Sequence, residues 1–376
     1  MKSKGSLLEV AQVFFKMGCI AFGGPAAHIA MMEEEVVTKR KWMSRQHFLD
    51  LMGLTNLIPG PNSTEMTMHC GYERAGILGL FVAGSCFIFP AVVITGFLAW
   101  LYVSYGQLPQ VEPFIFGIKP AVLAIIANAV FKLGKKALKG WELGIIGCAV
   151  VAASLLGVNE VLALLSAGIL GTVYFTIKSK SASSIKTIFP FLIVNSSSSI
   201  VVKVTSAKVF WTFLKVGSVL YGSGYVLFAY LDAELVSTGW LTRQELMDAI
   251  AVGQFTPGPV LSTATFIGYQ LTGIWGAAAA TVGIFLPSFL FVLILNPLLP
   301  KMQKSKVLRY FLDSVNVAAV AVMVGVLAQM TYVVATDWKS ILIAVISIIA
   351  LFGIKKVNAI WTVVGGSILG YLLLLF

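Results

Sequence analysis

Charge is what this sequence has least of. Asp, Glu, Lys and Arg make up 11% of its 376 residues, where a soluble globular chain carries about a quarter. With 58% hydrophobic residues, that shortage excludes a soluble domain and leaves a polytopic membrane protein. Cysteine is also sparse. Cys19, Cys70, Cys86 and Cys148 form no CxxC pair, which removes a thiol metal site and a redox motif and leaves small buried apolar side chains. There is no HExxH, no GxSxG and no Walker loop, so a membrane-embedded enzyme and direct ATP use both lack their motifs. One SxxK match, Ser183 to Lys186, falls in a serine-rich linker. The sequence implies no metal and no cofactor. The net charge of +11 lies in short basic clusters between apolar segments, as in cytoplasmic loops, and not in a nucleic-acid-binding stripe. Lys2 and Lys4 before an apolar run resemble a signal peptide, but the same segment recurs internally and belongs to the fold.

One short stretch is present twice. Trp42-Met43-Ser44-Arg45-Gln46 leads through Asp50 to Pro59-Gly60-Pro61, and Trp240-Leu241-Thr242-Arg243-Gln244 leads through Asp248 to Pro257-Gly258-Pro259. Each proline removes a backbone donor and clashes with the preceding turn, so neither apolar segment is an ordinary helix. A broken helix in lipid is tolerated only where the freed backbone faces protein or a wet cavity.

The repeat extends through the chain. Phe14 to Gly18 returns as Phe213 to Gly217. Phe22-Gly23-Gly24-Pro25 returns as Tyr221-Gly222-Ser223-Gly224, without the proline and without a counterpart of His28. Gly71-Tyr72, Gly76, Gly79 and Pro90 return as Gly268-Tyr269, Gly273, Gly276 and Pro287. Residues 1–180 form one repeat and 207–376 the other, joined by a linker at 181–206. Glu33 to Arg45 reads as a charged loop. Ala75, Gly79 and Ala83 form a small-residue face suited to close helix packing.

Charge bias flips between the halves. The basic loops of the first half are Lys39-Arg40-Lys41 with Arg45, and Lys132 to Lys139. Their counterparts hold only Arg243 and Lys339, each beside acids. The first half has no basic residue in Gln107 to Glu112 or at Asn159-Glu160, where the second has Lys301, Lys304, Lys306 and Arg309, then Lys355-Lys356. The positive-inside rule then inserts the halves upside down relative to each other, as in many secondary transporters. Inversion requires an extra crossing, for which Ile185 to Val202 is the candidate. The fold class is an all-α polytopic membrane protein of two inverted-topology repeats, with broken or re-entrant helices carrying GGP and PGP motifs. Kinked full spans are the alternative to re-entrant hairpins.

Phe22-Gly23-Gly24-Pro25-Ala26-Ala27-His28, Pro59-Gly60-Pro61 and Gln254-Phe255-Thr256-Pro257-Gly258-Pro259, in this order in a two-fold repeated chain, resemble the chromate transporter family. The resemblance covers both halves. It implies export of chromate, an oxyanion, through the inner membrane of a prokaryote. A carrier of the same fold for sulfate or another anion is the alternative. The expected partners are a small inorganic anion and the bilayer, with no nucleic acid; a homo-oligomer is left open.

The residues supply matching chemistry. A tetrahedral dianion needs N–H donors and positive charge, which helix N-termini provide. Pro25, Pro61 and Pro259 suit the first turn after each break. Asn62, Ser63, Thr64, Ser262 and Thr263 follow as added donors. Gly23, Gly24, Gly60 and Gly258 let an ion approach the backbone, and the degraded Gly222, Ser223 and Gly224 with Gln254, Pro59 and Pro257 complete the expected site. Lys16 and Lys215 either add full charge or snorkel to an interface. Glu65, whose counterpart is Thr263, is an unpaired acid at membrane depth and a proton-carrier candidate, as is His28. Asp50 and Asp248 read as ion pairs or caps with Arg45 and Arg243, and His47 and His69 as edge residues. Two negative charges leaving across 100 mV, negative inside, gain about 4.6 kcal/mol, which favours efflux without ATP.

Overall fold

The computed structural model describes residues 6–22, 24–55, 58–106, 108, 111–156, 158, 160–179, 204–220, 226–296, 305–335, 337–354, 357 and 359–375. Among the described residues every regular element is helical, as expected where lipid offers the backbone no hydrogen-bond partner. Asn62–Tyr105, Glu112–Ala137, Val260–Leu295 and Lys306–Tyr332 are long and apolar enough to cross a bilayer, and four shorter apolar helices accompany them.

The first repeat opens with two hairpins. Helix α1 (Leu7–Ile20) starts at Ser6, whose hydroxyl accepts from the Leu8 N–H at 3.2 Å. Gly24, at φ 78°, turns the chain into α2 (Pro25–Met32), with proline in the first turn where its missing N–H is harmless. Helix α2 continues as a π-helix through Glu33–Lys39. Most of the Glu33 to Arg45 loop expected from its charge is therefore helical, its acids leading and Lys39 closing the segment. Arg40 and Trp42 then return to the start of α1, bonding the Glu9 carboxylate at 3.1 and 3.2 Å. Helix α3 (Arg45–Thr55) leads in again to the Pro-Gly-Pro turn, and the chain comes back along the first arm of α4 (Asn62–Tyr105). At the mouth of this second hairpin, His47 lies 3.2 Å from Glu73 and Arg74 donates to Glu9 at 2.7 Å. Both broken segments are re-entrant, with their mouths together on one face.

Helix α4 is itself folded. Forty-four residues of straight helix would span about 66 Å, twice a hydrocarbon core. The chain leaves helical geometry at Ala75 and Gly76, where Gly76 takes φ 67°, a conformation only glycine adopts freely. The arms then pack so closely that a Cβ on Gly71 would collide with the Gly79 carbonyl, and one on Gly79 with that of Gly71. The small-residue face read from the sequence is this contact.

The second repeat rebuilds the same device. Thr205 caps α8 (Ser206–Val219) through the Lys208 N–H. Helix α9 (Leu227–Leu231) runs into a π-helix at Asp232–Val236. A Thr242–Glu245 capping box starts α10 (Arg243–Phe255), and a 3-10 turn at Val260–Ser262 leads into α11 (Thr263–Leu295), bent at Thr272 and Gly273 (φ 68°). Ser206 and Thr272 hydroxyls lie 3.0 Å apart at the mouth. Tyr102, near the far end of α4, donates to Asp248 of α10 at 2.7 Å. These hairpins therefore open on the face opposite the first pair, and the repeats are inverted.

Helices α5 (Glu112–Ala137), α6 (Trp141–Leu155) and α7 (Glu160–Lys178) complete the first half, and α12 (Lys306–Val334), α13 (Trp338–Gly353) and α14 (Ala359–Leu375) the second. On the basic face Lys139 pairs with Asp313 at 2.6 Å and Lys178 pairs with Glu142. On the opposite face Arg243 donates to Gln329 at 2.6 Å. Gly117 of α5 lies so close to Gly366 of α14 that a Cβ would strike its carbonyl, a small-residue contact of the kind membrane helices use. The expected extra crossing at Ile185 to Val202 lies outside the described residues. Cys70 is buried as expected, but Cys19 and Cys148 are exposed on helix surfaces, a position that lipid-facing apolar groups can occupy.

Candidate functional site

Three hairpin tips and Leu220, at the end of α8, come together in the middle of the molecule. The Gly60 N–H of the first Pro-Gly-Pro donates to the Leu220 carbonyl of the second repeat at 2.6 Å. The Gly258 N–H of the second donates to the Ala21 carbonyl of the first at 2.9 Å. Ala21 and Leu220 are repeat counterparts, so each Pro-Gly-Pro glycine is tied to the end of the other half's first helix. Gly60 at φ 144° and Gly258 at φ 88° both require the left-handed half of conformational space. Three helix N-termini point into this centre, at Pro25, Asn62 and the Val260 turn. Helix starts of this kind carry the positive end of the dipole, though Thr64 and Ser262 already donate to the Pro61 and Pro259 carbonyls at 2.8 and 2.9 Å.

The two Pro-Gly-Pro tips differ in what surrounds them. A Cβ on Gly60 would collide with Glu65 Oε1 and stand 2.6 Å from Ser288 Oγ. Glu65 is fully buried, and neither carboxylate oxygen nor the Ser288 hydroxyl has a hydrogen-bond partner among the described residues. At Gly258 the nearest atom is Ala91 Cβ, at 2.9 Å. Ala91 is the repeat counterpart of Ser288, and Thr263 that of Glu65, its hydroxyl spent on the Val260 carbonyl at 2.8 Å. The polar chemistry is concentrated on the first tip. A carboxyl group buried with nothing to bond must take up a proton or receive a donor.

His28 sits beside the other bond. Its Nε2 donates to the Ala21 carbonyl at 3.1 Å, its ring meets Phe87 edge-on, and its Nδ1 has no partner among the described residues. Leu227 stands at the equivalent place in the second repeat.

The expected site residues divide accordingly. Gly24, Pro25, His28, Pro59, Gly60, Pro61, Ser63, Glu65, Pro257, Gly258, Pro259 and Ser262 come to the tips or their first turns. Pro61 and Pro259 sit one position earlier than expected, as caps rather than first-turn residues. Asn62 is the first residue of α4, and Gln254 is buried at the end of α10 with its Nε2 unpaired. Gly23, Gly222, Ser223 and Gly224 lie outside the described residues. Lys16 and Lys215 are not at the tips: both are exposed about one turn short of them, and Lys215 pairs with Glu234 at 2.6 Å.

Other readings are corrected. Arg45 pairs with Glu33 at 2.9 Å and Arg243 with Asp232 at 2.9 Å, so the repeated arginine reaches back to the π-helix and not to Asp50 or Asp248. Asp50 is exposed and accepts from Gln46 at 2.9 Å. Asp248 is buried, with Tyr102 and Lys119. His69 is buried in α4, not at an edge. Ser288, Tyr102 and Lys119 went unread in the sequence. Lys119 carried a signal, an ionisable residue within an apolar span; Ser288 had none beyond its neighbour Pro287. Among the described residues no cluster of three metal-binding side chains exists.

Comparison with known proteins follows the same division into repeats. The family model described as chromate transporter matches residues 8–172 and again 207–371. The chain is 29% identical over 375 residues to the chromate transport protein of Cupriavidus metallidurans, covering 97% of this chain and 92% of that one. It is 29% identical over 360 residues to the probable chromate transport protein of Synechococcus elongatus, covering 93% and 91%. It is 27% identical over 391 residues to an uncharacterised transporter of Methanocaldococcus jannaschii, covering 99% and 96%. No solved structure matches. The two matched segments coincide with the two inverted sets of hairpins, and the chain belongs to the chromate transporter family.

Proposed function

We propose that this protein exports chromate across the inner membrane of a prokaryotic cell as a secondary transporter, and that the anion crosses where the tips meet. The observation that carries this reading is the pair of cross-repeat bonds, Gly60 to Leu220 and Gly258 to Ala21, amid three convergent helix N-termini. An oxyanion offers acceptors to the same N–H groups that the tips now use on each other. Opening a tip bond toward one face exposes a donor to that face while the other bond keeps the far side shut. The repeats span 1–180 and 207–376, joined by a linker at 181–206. The basic face, with Lys39, Arg40, Lys41 and Lys139, is cytoplasmic. Lys16 and Lys215 draw the anion toward the hairpins, and Glu65 or His28 carries any coupled proton. The membrane potential drives a dianion outward with about 2.3 kcal/mol per charge at 100 mV. No step of this requires catalysis.

The test is oxyanion flux in proteoliposomes of purified protein, comparing chromate, sulfate and phosphate. Saturable chromate flux that exceeds phosphate flux is expected. Flux no greater than in protein-free liposomes would reject the reading, and sulfate preferred over chromate would reassign the substrate.

A further inference from the structure

One buried ionisable side chain has no part in the reading so far. His69 lies on the first arm of α4, four residues beyond Glu65 in the direction of the hairpin mouth on the basic face. It is 1% exposed, and neither ring nitrogen completes a hydrogen bond among the described residues. Residues four apart on a helix share a face, their Cβ atoms about 5–6 Å apart. His69 therefore sits one turn from Glu65, which is likewise buried and without a hydrogen-bond partner there. The second arm of α11 runs beside both. Its Ser288 stands with Glu65 at Gly60, and Asn296, half-buried just past the end of α11, brings its side-chain amide to the His69 ring. Glu65, Ser288, His69 and Asn296 thus form one polar strip from the first tip toward the basic face.

The strip occurs once. Counted from Gly268, the counterpart of Gly71, His69 corresponds to Phe266. Counted from Pro287, the counterpart of Pro90, Asn296 corresponds to Ala99. Both are fully buried, Ala91 replaces Ser288, and Thr263 replaces Glu65 with its hydroxyl spent on the Val260 carbonyl. The second repeat packs the same place with apolar side chains, so packing does not require the polar set.

An imidazole accepts a proton on one ring nitrogen and gives one up from the other. A dianion arriving at the first tip needs the Glu65 carboxyl neutral, because like charges exclude each other. Resting on the oxyanion-export reading above, we propose that His69 is the proton relay of Glu65 and connects it to the cytoplasmic face alone. As the anion enters, the ring takes a proton at the nitrogen toward Asn296 and passes one from its other nitrogen to the Glu65 carboxylate. The same two transfers in reverse return the proton once the anion has left. Asn296 is a positioning residue that orients the ring. The other ionisable groups around the strip are committed or displaced from it. On α4 Glu73 pairs with His47 of α3 at 3.2 Å, Cys70 is a buried thiol, and Cys86 is half-buried on the return arm; on α3 Asp50 accepts from Gln46. On α1 Glu9 is held by Arg40 and Arg74, and Lys16 is exposed. On α2 and its π-helix His28 donates to Ala21, Glu33 pairs with Arg45, and Glu34 and Glu35 pair with Lys39. Helix α11 carries no charged residue.

The relay predicts which face sets the pH response. In proteoliposomes of known orientation, with the voltage clamped, chromate export is measured while the pH of each face is varied separately and the dianion concentration is held constant. Wild-type turnover should follow the inner-face pH and ignore the outer. His69→Gln, similar in size but unable to relay, should lose about tenfold in turnover, a modest share of what one positioned proton-transfer group contributes. It should also lose the response to inner-face pH, with chromate KM unchanged. His69→Glu, the same size as the glutamine variant but ionisable, should regain that response. Turnover that follows the outer-face pH or neither face, a glutamine variant with wild-type turnover and pH response, equal behaviour of the glutamine and glutamate variants, or a KM that rises with the loss of turnover would each overturn the relay while leaving export intact. Wild-type protein that moves no oxyanion would overturn both.

Discussion

The two Pro-Gly-Pro tips have the same backbone and different chemistry. Both glycines adopt left-handed conformations, both donate to the opposite repeat, and both follow a helix that begins at a paired arginine. Around Gly60 stand Glu65 and Ser288; around Gly258 stand the Ala91 methyl and the Gly18 and Phe87 carbonyls, while Thr263, the counterpart of Glu65, is turned to the Val260 carbonyl. The shared part is what a hinge between inverted halves needs. The unshared part is what an anion or a proton meets. An inverted repeat thus keeps its mechanical symmetry while one copy specialises.

The largest expected effect tests the shared part. Gly60→Ala places a methyl group against the Glu65 carboxyl in a backbone conformation that alanine rarely adopts. Chromate flux should fall to the protein-free level, with membrane insertion and elution as a single species unchanged. Gly258→Ala carries the same left-handed strain at φ 88° but its nearest neighbour is the Ala91 methyl at 2.9 Å and not a buried carboxyl, so it should retain more flux than Gly60→Ala. Equal residual flux in the two variants would erase the distinction between the tips.

The unshared part comes next. Glu65→Gln keeps the volume and removes the ionisable group, and flux should drop roughly tenfold, the scale of one charged contact, together with any dependence on an imposed pH gradient. Thr263→Val, at the equivalent position, should change flux little. Ser288→Ala should cost a few-fold in flux, whereas Ala91→Ser should leave it near the wild-type rate. A larger loss from Ala91→Ser would place the working polar pocket on the other tip.

The smallest effect concerns stability. The repeated ion pair is partly buried in the second half, where Asp232 is 7% exposed, and open in the first, where Arg45 is 75% exposed. Asp232→Asn should destabilise by about 1.5–3 kcal/mol and Glu33→Gln by about 0.2–1 kcal/mol, read from thermal unfolding in detergent. Equal losses would mean the bilayer, absent in detergent, decides the worth of both pairs.

Much of this architecture was legible in the sequence because it rests on residues with narrow physical uses. Two prolines flanking a glycine break an apolar run, so Pro59 to Pro61 and Pro257 to Pro259 mark the tips, whereas the single Pro90, Pro120 and Pro287 stay within helices. Loop charge announced the inversion. Glu65 stood out as an acid without a repeat partner. The cross-repeat bonds were not legible, since any residue's N–H and carbonyl can make them. Nor was the fold-back at Gly76 and Gly273, where a single glycine inside a helical pattern marks either a close contact or a turn. The arginine partners were misread because sequence proximity favoured Asp50 and Asp248, while the π-helices carried Glu33 and Asp232 back to the hairpin mouths.

The most direct test of passage at the tips is voltage-driven chromate flux in proteoliposomes clamped with valinomycin and potassium at zero pH gradient, wild type beside Gly60→Ala. The account predicts wild-type chromate accumulation on the positive side that reverses when the clamped potential is reversed, and none in the variant. Flux in the wild type that ignores the imposed voltage, or voltage-driven flux that persists in Gly60→Ala, would contradict it.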